Sequence, residues 1–231
     1  SYYMEKVNKF LFKINKIYYY LFKERFNKKI NFNFPEEINR WDLIQKLIEL
    51  NNFQSYLEIG CDGDDSFSKI KVKNKIGVDP YSGGNFKGTS DYFFSQNNKK
   101  FDCIFIDGLH EYHQVFKDIK NSLDVLSDNG IILLHDCLPT SLHKQAVPRY
   151  KNIWNGDVWK SIVYYRTLEN IDIVTCKIDQ GISAIRKIKN KDCLDLKLDD
   201  FSKLKFKDFY INHQKYMRIK DYDDFLNYIK N

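Results

Sequence analysis

Residues 56–63, YLEIGCDG, decide the fold of this 231-residue chain. The run Tyr56–Ile59 is short and almost wholly apolar, as expected of a β-strand covered on both faces. It ends in a glycine-bearing turn, where a backbone can approach a ligand closely. We therefore predict a buried strand, then a turn at Gly60–Gly63, then a helix that starts near Asp64.

The same pattern repeats along the chain, with short apolar runs separated by helical spacing. The predicted strands are Tyr56–Ile59, Lys75–Val78, Cys103–Ile106, Ile131–Leu134, Ile171–Cys176 and Ile182–Ile185. Tyr112–Leu126 and Asp157–Leu168 are predicted helices, the second capped by Asp157. Alternating strands and helices predict an α/β fold with a doubly wound, mostly parallel sheet.

Three segments are predicted: an N-terminal helical extension at 1–34, a catalytic domain at 35–188, and a C-terminal helical tail at 189–231 that covers the core or the acceptor site. Phe10, Ile14, Tyr18 and Phe22 share one face of a basic helix over Tyr3–Lys28. That helix packs on the core or on a second subunit, as in a homodimer, or it lies on a membrane surface. Pro35 is expected to open the next helix.

Composition restricts the class of protein. The net charge of +6 is spread along the chain, so we expect no nucleic-acid partner. The start of the chain lacks the order of a signal peptide, and no apolar run is long enough to span a bilayer, which favours a cytoplasmic location. The five cysteines lack Cys-x-x-Cys spacing, which indicates neither a disulfide framework nor a zinc site.

Polar residues follow the predicted strands, and the carboxyl ends of such strands meet at one edge of the sheet. Glu58 ends the first strand, and Asp79 follows the second at a spacing suited to a carboxylate that binds ribose hydroxyls. Asp62 and its acidic neighbours Asp64 and Asp65 would repel a pyrophosphate but tolerate a cation. This pattern favours a sulfonium nucleoside over a nicotinamide dinucleotide.

The later strands end in groups that move protons or bind metals: Asp107 and His110 in one case, His135 and Asp136 in the other. Either histidine could act as general base, and Asp107, His135 and Asp136 could equally hold a divalent metal that orients an acceptor oxygen. The residues alone leave both interpretations open.

The chain resembles the class I S-adenosylmethionine-dependent methyltransferases, specifically a bacterial subgroup associated with surface-glycan and secondary-metabolite pathways. The resemblance extends over about Arg40–Arg186. The matching stretches are 56–60, 77–80 with 82–84, 89–94, 101–110 with Tyr112, 130–139 and 156–160.

The resemblance implies a seven-stranded sheet whose last pair, from Ile171 and Ile182, is antiparallel. It places Glu58 and Gly60 at the methionine of S-adenosylmethionine and Asp79 at the ribose. Ser90 and Asp91 would lie near the adenine. Asp107 would lie beneath the methionine amino group or join His135 and Asp136 around a metal.

The implied reaction is O-methylation of a sugar, nucleotide-sugar, phosphorylated metabolite or other small polar molecule, in the biosynthesis of a surface polysaccharide such as a capsule. Two residues depart from the family pattern. Asp64 stands where glycine is commoner, and His135 replaces the usual acid or amide, which argues against magnesium. The alternatives are a metal-dependent hydrolase built on the Asp/His cluster and a catalytically degenerate binding subunit.

Overall fold

A computed structural model describes residues 2–230, with side chains from residue 8 onward. Eight strands form one sheet in the order β3-β2-β1-β4-β5-β7-β6-β8. Their bounds are β1 Ser55–Ile59, β2 Asn74–Asp79, β3 Phe86–Lys87, β4 Phe101–Ile106, β5 Leu126–Leu134, β6 Asp172–Cys176, β7 Ile182–Arg186 and β8 Ile219–Lys220.

Every strand pair in the sheet is parallel except those that involve β7, which runs antiparallel to β5 and β6. Strand β1 lies between β2 and β4, with Glu58 opposite Gly77 on one side and Phe105 on the other. The carboxyl ends of β1, β2, β4 and β5 therefore lie at a common edge. The predicted α/β class and the doubly wound, mostly parallel sheet are confirmed.

Eight α-helices accompany the sheet in the described chain. They are α1 Tyr2–Phe22, α2 Arg40–Leu50, α3 Ser90–Gln96, α4 Tyr112–Val125, α5 Leu142–Gln145, α6 Trp159–Tyr165, α7 Phe206–Met217 and α8 Tyr222–Lys230. Apolar side chains fill both sides of the sheet. Helices α4, α6 and α7 contribute to one buried cluster, and α2 and α8 contribute to the other.

The sheet has eight strands rather than the seven expected, and two of them, β3 and β8, lie outside the six strands located in the sequence. Strands β3 and β8 have two residues each, too few for a hydrophobic period to show in the sequence. The helix expected after the first turn is absent, because residues 62–69 form successive turns instead. Helix α2 begins at Arg40, not at Pro35, and the Asn39 N–H is bound by the Asp42 carboxylate at 2.9 Å.

Helix α6 also begins later than expected, and Val158 rather than Asp157 precedes it as the capping residue. Asp157 instead accepts a hydrogen bond of 2.7 Å from the backbone N–H of Tyr112, at the start of α4. Its carboxylate therefore ties the segment before α6 to α4, the helix that follows β4.

Helix α1 ends at Phe22, six residues before the predicted end at Lys28. Tyr19 is its buried contact with the core, and its hydroxyl accepts a hydrogen bond of 2.7 Å from Gln145. The face that contains Phe10 and Ile14 does not pack on the core of the chain and is exposed. Across the described residues, no helix combines the length and the apolarity needed to cross a bilayer.

Candidate functional site

A cavity of about 670 Å³ opens at the carboxyl ends of β1, β2 and β4. The structure brings together there all seven residues predicted to bind the cofactor: Glu58, Gly60, Asp62, Asp79, Ser90, Asp91 and Asp107. His110 also lines this cavity. His135 and Asp136 lie behind it, in contact with Asp107 and His110.

Gly60 allows the turn after β1 to pass close to the end of β4. Its φ is +86°, and a Cβ at this position would lie 2.4 Å from the carbonyl oxygen of Asp107. A larger residue would therefore push the two strand ends apart. The close approach keeps Glu58 and Asp107 on the same wall of the cavity.

Glu58 is almost fully buried and accepts a hydrogen bond of 2.5 Å from the Tyr56 hydroxyl. Burial raises the pKa of the Glu58 carboxyl to about 7, although the Tyr56 hydrogen bond opposes that rise. A cation placed against Glu58 would favour the ionised form. The group is thus suited to respond to a positively charged ligand.

Asp79 organises the loop after β2. Its carboxylate accepts backbone N–H bonds from Asp62 at 3.0 Å, Tyr81 at 2.8 Å and Ser82 at 2.9 Å. Burial opposes ionisation, but these bonds hold the pKa of Asp79 below its usual value. Asp79 therefore shapes the turn and also presents an anion to the cavity.

The acidic loop after Gly60 uses left-handed backbone at two aspartates, with φ of 45° at Asp62 and 64° at Asp64. Aspartate tolerates this conformation better than most residues because its short polar side chain bonds locally. The Asp64 carboxylate accepts a 2.6 Å hydrogen bond from the N–H of Gly84. Asp64 therefore occupies a left-handed position that glycine adopts most readily, and its carboxylate also binds the loop after β2.

The far end of the cavity contains amide and carboxyl groups. Gln114 of α4 donates to Ser90 at 3.2 Å and to Asp118 at 3.1 Å. Asp91 is partly exposed and pairs with Lys117 at 2.5 Å, and the hydrogen bond from that lysine lowers the pKa of Asp91. Burial raises the pKa of Asp118 to about 6.

Arg40, at the first turn of α2, brings a positive charge to this acidic cavity. Its guanidinium lies 3.6 Å from Asp107 and 3.3 Å from Asp179, and its Nε donates to the Ser66 hydroxyl at 3.0 Å. Among the cavity-lining residues that the structure describes, Arg40 is the only arginine or lysine.

Two aspartates and two histidines form a compact cluster, which we call the Asp/His cluster: Asp107, His110, His135 and Asp136. Asp107 Oδ1 lies 3.1 Å from His110 Nε2 and 3.0 Å from His135 Nδ1. His110 Nδ1 lies 3.0 Å from Asp136 Oδ2. The His110 ring therefore bridges the two carboxylates.

The charges of the cluster reinforce one another. Burial opposes the charged form of Asp107, yet the charge of His135 and the hydrogen bond from His110 lower its pKa strongly. Burial also opposes the charge of His110, but its bonds to Asp107 and Asp136 raise its pKa to about 9. The pKa of His135 is raised as well, chiefly by the charge of Asp107 acting against burial.

The donor set suits a divalent ion. Asp107, His110 and Asp136 each offer a ligand atom, and these atoms lie within 4.8 Å of one another. His135 Nε2 lies 2.8 Å from the backbone carbonyl of Asp179, to which it can donate, so Nδ1 of a neutral ring would carry a lone pair toward Asp107. Imidazole and carboxylate together fit a transition metal better than magnesium.

Three neighbours hold Asp136 and His110 in place. Asp136 has a φ of +60° and accepts a 2.7 Å hydrogen bond from the Asn155 side chain. The Trp154 ring stacks on the His110 ring, with centroids 5.8 Å apart. A Cβ on Gly156 would overlap the His110 carbonyl oxygen, so only glycine fits there.

Sequence reasoning missed several of these residues. Arg40, Gln114 and Asp118 come from helices, and nothing in their local pattern distinguishes them from ordinary surface positions. Two tryptophans differ in their position: Trp154 lies against His110, whereas Trp159 is fully buried against Phe209.

The sheet and its helices have the fold of the class I S-adenosylmethionine-dependent methyltransferases. Residues 72–137 match a family model described as a methyltransferase domain. The matched segment includes Asp79, the Ser90–Asp91 pair and the Asp/His cluster, but it does not include β1.

Solved structures with the same fold include cofactor-bound Rv0187 from MTB, at 11% identity and a TM-score of 0.53, covering 69% of this chain and 85% of that one. Another is a putative O-methyltransferase from Klebsiella pneumoniae, at 12% identity and a TM-score of 0.50, covering 68% of this chain and 84% of that one. Identities this low establish the fold alone. No curated protein matches the chain.

Proposed function

We propose that the chain is an S-adenosylmethionine-dependent O-methyltransferase. The observation that carries this proposal is the charge pattern of the large cavity, which contains many carboxylates and one arginine. S-adenosylmethionine carries a sulfonium and an ammonium, which suit the carboxylates, and one carboxylate, which suits Arg40. The fold and the family match of residues 72–137 support the same activity.

Within this proposal, each part of the cofactor has a partner. Glu58 and Gly60 lie at the methionine, with Arg40 and Ser66 positioned for its carboxylate, and Asp79 accepts from the ribose hydroxyls. The adenine faces Ser90 and Asp91, together with Gln114 and Asp118. Asp62 contributes negative charge at the mouth of the cavity.

The transfer breaks the bond between sulfur and the methyl group and forms a bond between that methyl and an acceptor oxygen. The electron pair of the broken bond stays on sulfur, and the acceptor hydroxyl loses its proton to the Asp/His cluster. His110 is the proposed base, with Asp136 and His135 supporting it. Both nitrogens of His110 pair with carboxylates and its pKa is about 9, so the ring is protonated near pH 7 before the cofactor binds. The sulfonium is expected to lower that pKa, and Nε2, once deprotonated and turned away from Asp107, would accept the proton of the hydroxyl.

A divalent ion is compatible with this site but is not required by the proposal. Asp107, Asp136 and either His110 or His135 would hold it. When bound, such an ion would lower the pKa of an acceptor hydroxyl. Whether imidazolium or metal balances the two carboxylates is decided by measuring transfer in the presence of chelator and of added manganese or zinc.

The acceptor is proposed to be a sugar or another small polar metabolite of surface-polysaccharide biosynthesis. This choice rests on the resemblance of the chain to the surface-glycan subgroup. The location of Trp154 beside His110 supports it, because aromatic rings commonly pack on the apolar faces of sugars. The match to a methyltransferase model favours this function over a hydrolase that uses the same cluster.

Calorimetry with S-adenosylhomocysteine and transfer of labelled methyl groups test the proposal. We expect binding that Asp79→Asn weakens, whereas Asp128→Asn, at an exposed position near the start of β5 and outside the cavity, has no effect. Absence of binding would reject the methyltransferase assignment. Binding without transfer to any member of a panel of sugars, sugar phosphates and nucleotide-sugars would favour a degenerate binding subunit.

Helix α1 suggests a second property, contact with an anionic membrane surface. Its exposed face carries Phe10, Ile14, Ile17 and Leu21 at helical spacing, with Phe10 64% and Leu21 60% exposed. A row of lysines at Lys9, Lys13 and Lys16 runs beside this face. Residues 8–22 contain no acid, so the charge complements anionic headgroups better than a second copy of the same helix.

A further inference from the structure

A second cavity, of about 170 Å³, collects positive charge from separate parts of the chain. We call it the basic cavity. Its cationic or titratable lining residues are Lys16 from α1, Lys28 and Lys29 from the connector to α2, His143 from α5, and Lys151 from the segment before Trp154. Tyr20, Ser141 and Tyr150, which carry hydroxyl groups, also line this cavity.

Among the side chains that the structure describes, no carboxylate forms an ion pair with these lysines. Aspartate and glutamate are absent from the described lining, and within residues 8–230 no carboxylate lies within ion-pair distance of Lys28, Lys29 or Lys151. Glu24, on the same connector, instead accepts the backbone N–H groups of Phe206 and Lys207 at 2.8 Å each. The positive charges therefore repel one another, and a bound anion would replace this repulsion with attraction.

The pKa of His143 is consistent with a positive electrostatic potential in the basic cavity. Burial, and then the charges of Lys151, Lys144 and Lys29, lower its pKa to about 4. The ring is therefore neutral near pH 7, and its Nδ1 lies 3.1 Å from the Ser141 hydroxyl. If that hydroxyl donates to Nδ1, the Nε2–H remains as a further donor for an anion.

We propose that the basic cavity binds a phosphoryl group carried by the methyl acceptor. The proposal rests on the methyltransferase function argued above and narrows its acceptor to phosphorylated molecules, such as a sugar phosphate or a nucleotide-sugar. Lysines bind phosphate as point charges, and hydroxyl and imidazole N–H groups complete its hydrogen bonds.

Helix α5 and its hydrogen bonds connect the basic cavity to the Asp/His cluster. Asp136 and Ser141 lie five positions apart, so their Cα atoms are at most about 18 Å apart even in an extended chain. The Lys144 carbonyl of α5 accepts from the N–H groups of Asn155 and Gly156, and Asn155 in turn binds Asp136. One short helix thus joins the cavity to the cluster, so one molecule could present a hydroxyl to His110 and a phosphate to the lysines.

Nuclear magnetic resonance of the five histidines tests the cavity directly. The His143 signal is assigned by its loss in His143→Gln, and its pKa is measured with and without inorganic phosphate or pyrophosphate. A bound anion should raise the pKa of His143 by about one unit or more in a saturable way. A His143 titration unchanged by either anion would overturn the proposal.

Two double variants test whether the anion binds in the basic cavity. Lys29→Gln with Lys151→Gln should weaken pyrophosphate binding by at least about tenfold. Lys46→Gln with Lys120→Gln removes the same charge from two exposed helical positions outside the basic cavity and should change nothing. Equal weakening in both double variants would indicate a general charge effect and contradict a specific site.

Three further measurements separate this proposal from others. Both double variants should bind S-adenosylhomocysteine with the same affinity. If the wild-type protein does not bind S-adenosylhomocysteine, the methyltransferase function is rejected, whether or not anions change the pKa of His143. Calorimetry should detect a hexose 1-phosphate but not the free hexose, and equal binding of the two would reject the phosphoryl role. If phosphatidylglycerol vesicles raise the pKa of His143 but soluble phosphates do not, the basic cavity binds a lipid phosphate. That result would overturn the proposal that it binds the phosphate of a soluble acceptor.

Discussion

The hydroxyl of Tyr56 lies 2.5 Å from the carboxylate of Glu58, two positions along the same strand. Residues i and i+2 of a strand share one face, so β1 itself supplies the hydrogen-bond donor of its own functional carboxylate. Burial raises the pKa of Glu58 to about 7, so its carboxyl group should titrate within the pH range that binding experiments can cover.

Cofactor affinity should therefore depend on pH. A cation binds the ionised form of Glu58 preferentially, so the affinity for S-adenosylhomocysteine should fall below pH 7, approaching about tenfold per pH unit. Glu58→Gln should bind more weakly and with little pH dependence. Tyr56→Phe removes the bond that lowers the pKa of Glu58, so the midpoint should move to higher pH. Calorimetry between pH 5.5 and 8.5 measures all three, and a flat wild-type profile contradicts the prediction.

The turn after β1 offers a matched pair of glycines. Gly60→Ala would place a methyl group 2.4 Å from the Asp107 carbonyl at a φ of +86°, so we expect a loss of about 2 kcal/mol or more in the free energy of unfolding. Cofactor affinity should fall with it. At Gly63 a Cβ would meet no atom within 4 Å, and Gly63→Ala should be nearly neutral. Urea unfolding compares the two, and similar losses would show that the contact with Asp107 is unimportant.

The strands and the acidic cavity could be predicted because each is encoded locally. A continuous apolar run followed by an acid, as at Glu58, Asp79 and Asp107, indicates both a buried strand and a group at its carboxyl end. The position of Arg40 could not be predicted, since its partner Asp179 lies 139 residues away in sequence. Arg40 reaches Asp179 and the cavity only because of the way α2 packs on the sheet.

Helix α1 shows a second reason why the sequence alone does not determine the packing. The spacing of Phe10 and Ile14 predicts an amphipathic helix, but the opposite side of that helix also carries large residues, including Phe12 and Tyr19. Periodicity cannot tell which of two apolar faces meets the core, and the structure buries Tyr19. Pro35 was a similarly ambiguous signal, because proline suits an extended connector as well as the first turn of a helix.

His110 should be needed for transfer but not for cofactor binding. His110→Gln should lower kcat by about 100-fold to 10,000-fold, as expected when a general base is lost, while S-adenosylhomocysteine affinity stays within about threefold. His113→Gln, three residues later and exposed on α4, is the matched control and should retain full activity. Rates with a labelled methyl donor and calorimetry provide the two readouts. A large loss of cofactor affinity in His110→Gln would instead indicate a structural role.

The exposed face of α1 should determine attachment to vesicles. Ile17→Asn with Leu21→Asn removes two side chains that are 61% and 60% exposed in the free protein, so folding should be unaffected. Since burying each such side chain contributes roughly 1.5–3 kcal/mol, binding to phosphatidylglycerol vesicles should fall at least about tenfold. Leu50→Asn, at a partly exposed leucine of α2, is the control and should bind as wild type does. Co-sedimentation measures binding, and light scattering measures mass. A wild-type dimer that the double variant converts to monomer, without any vesicle binding, would show that a second copy of the chain covers this face instead.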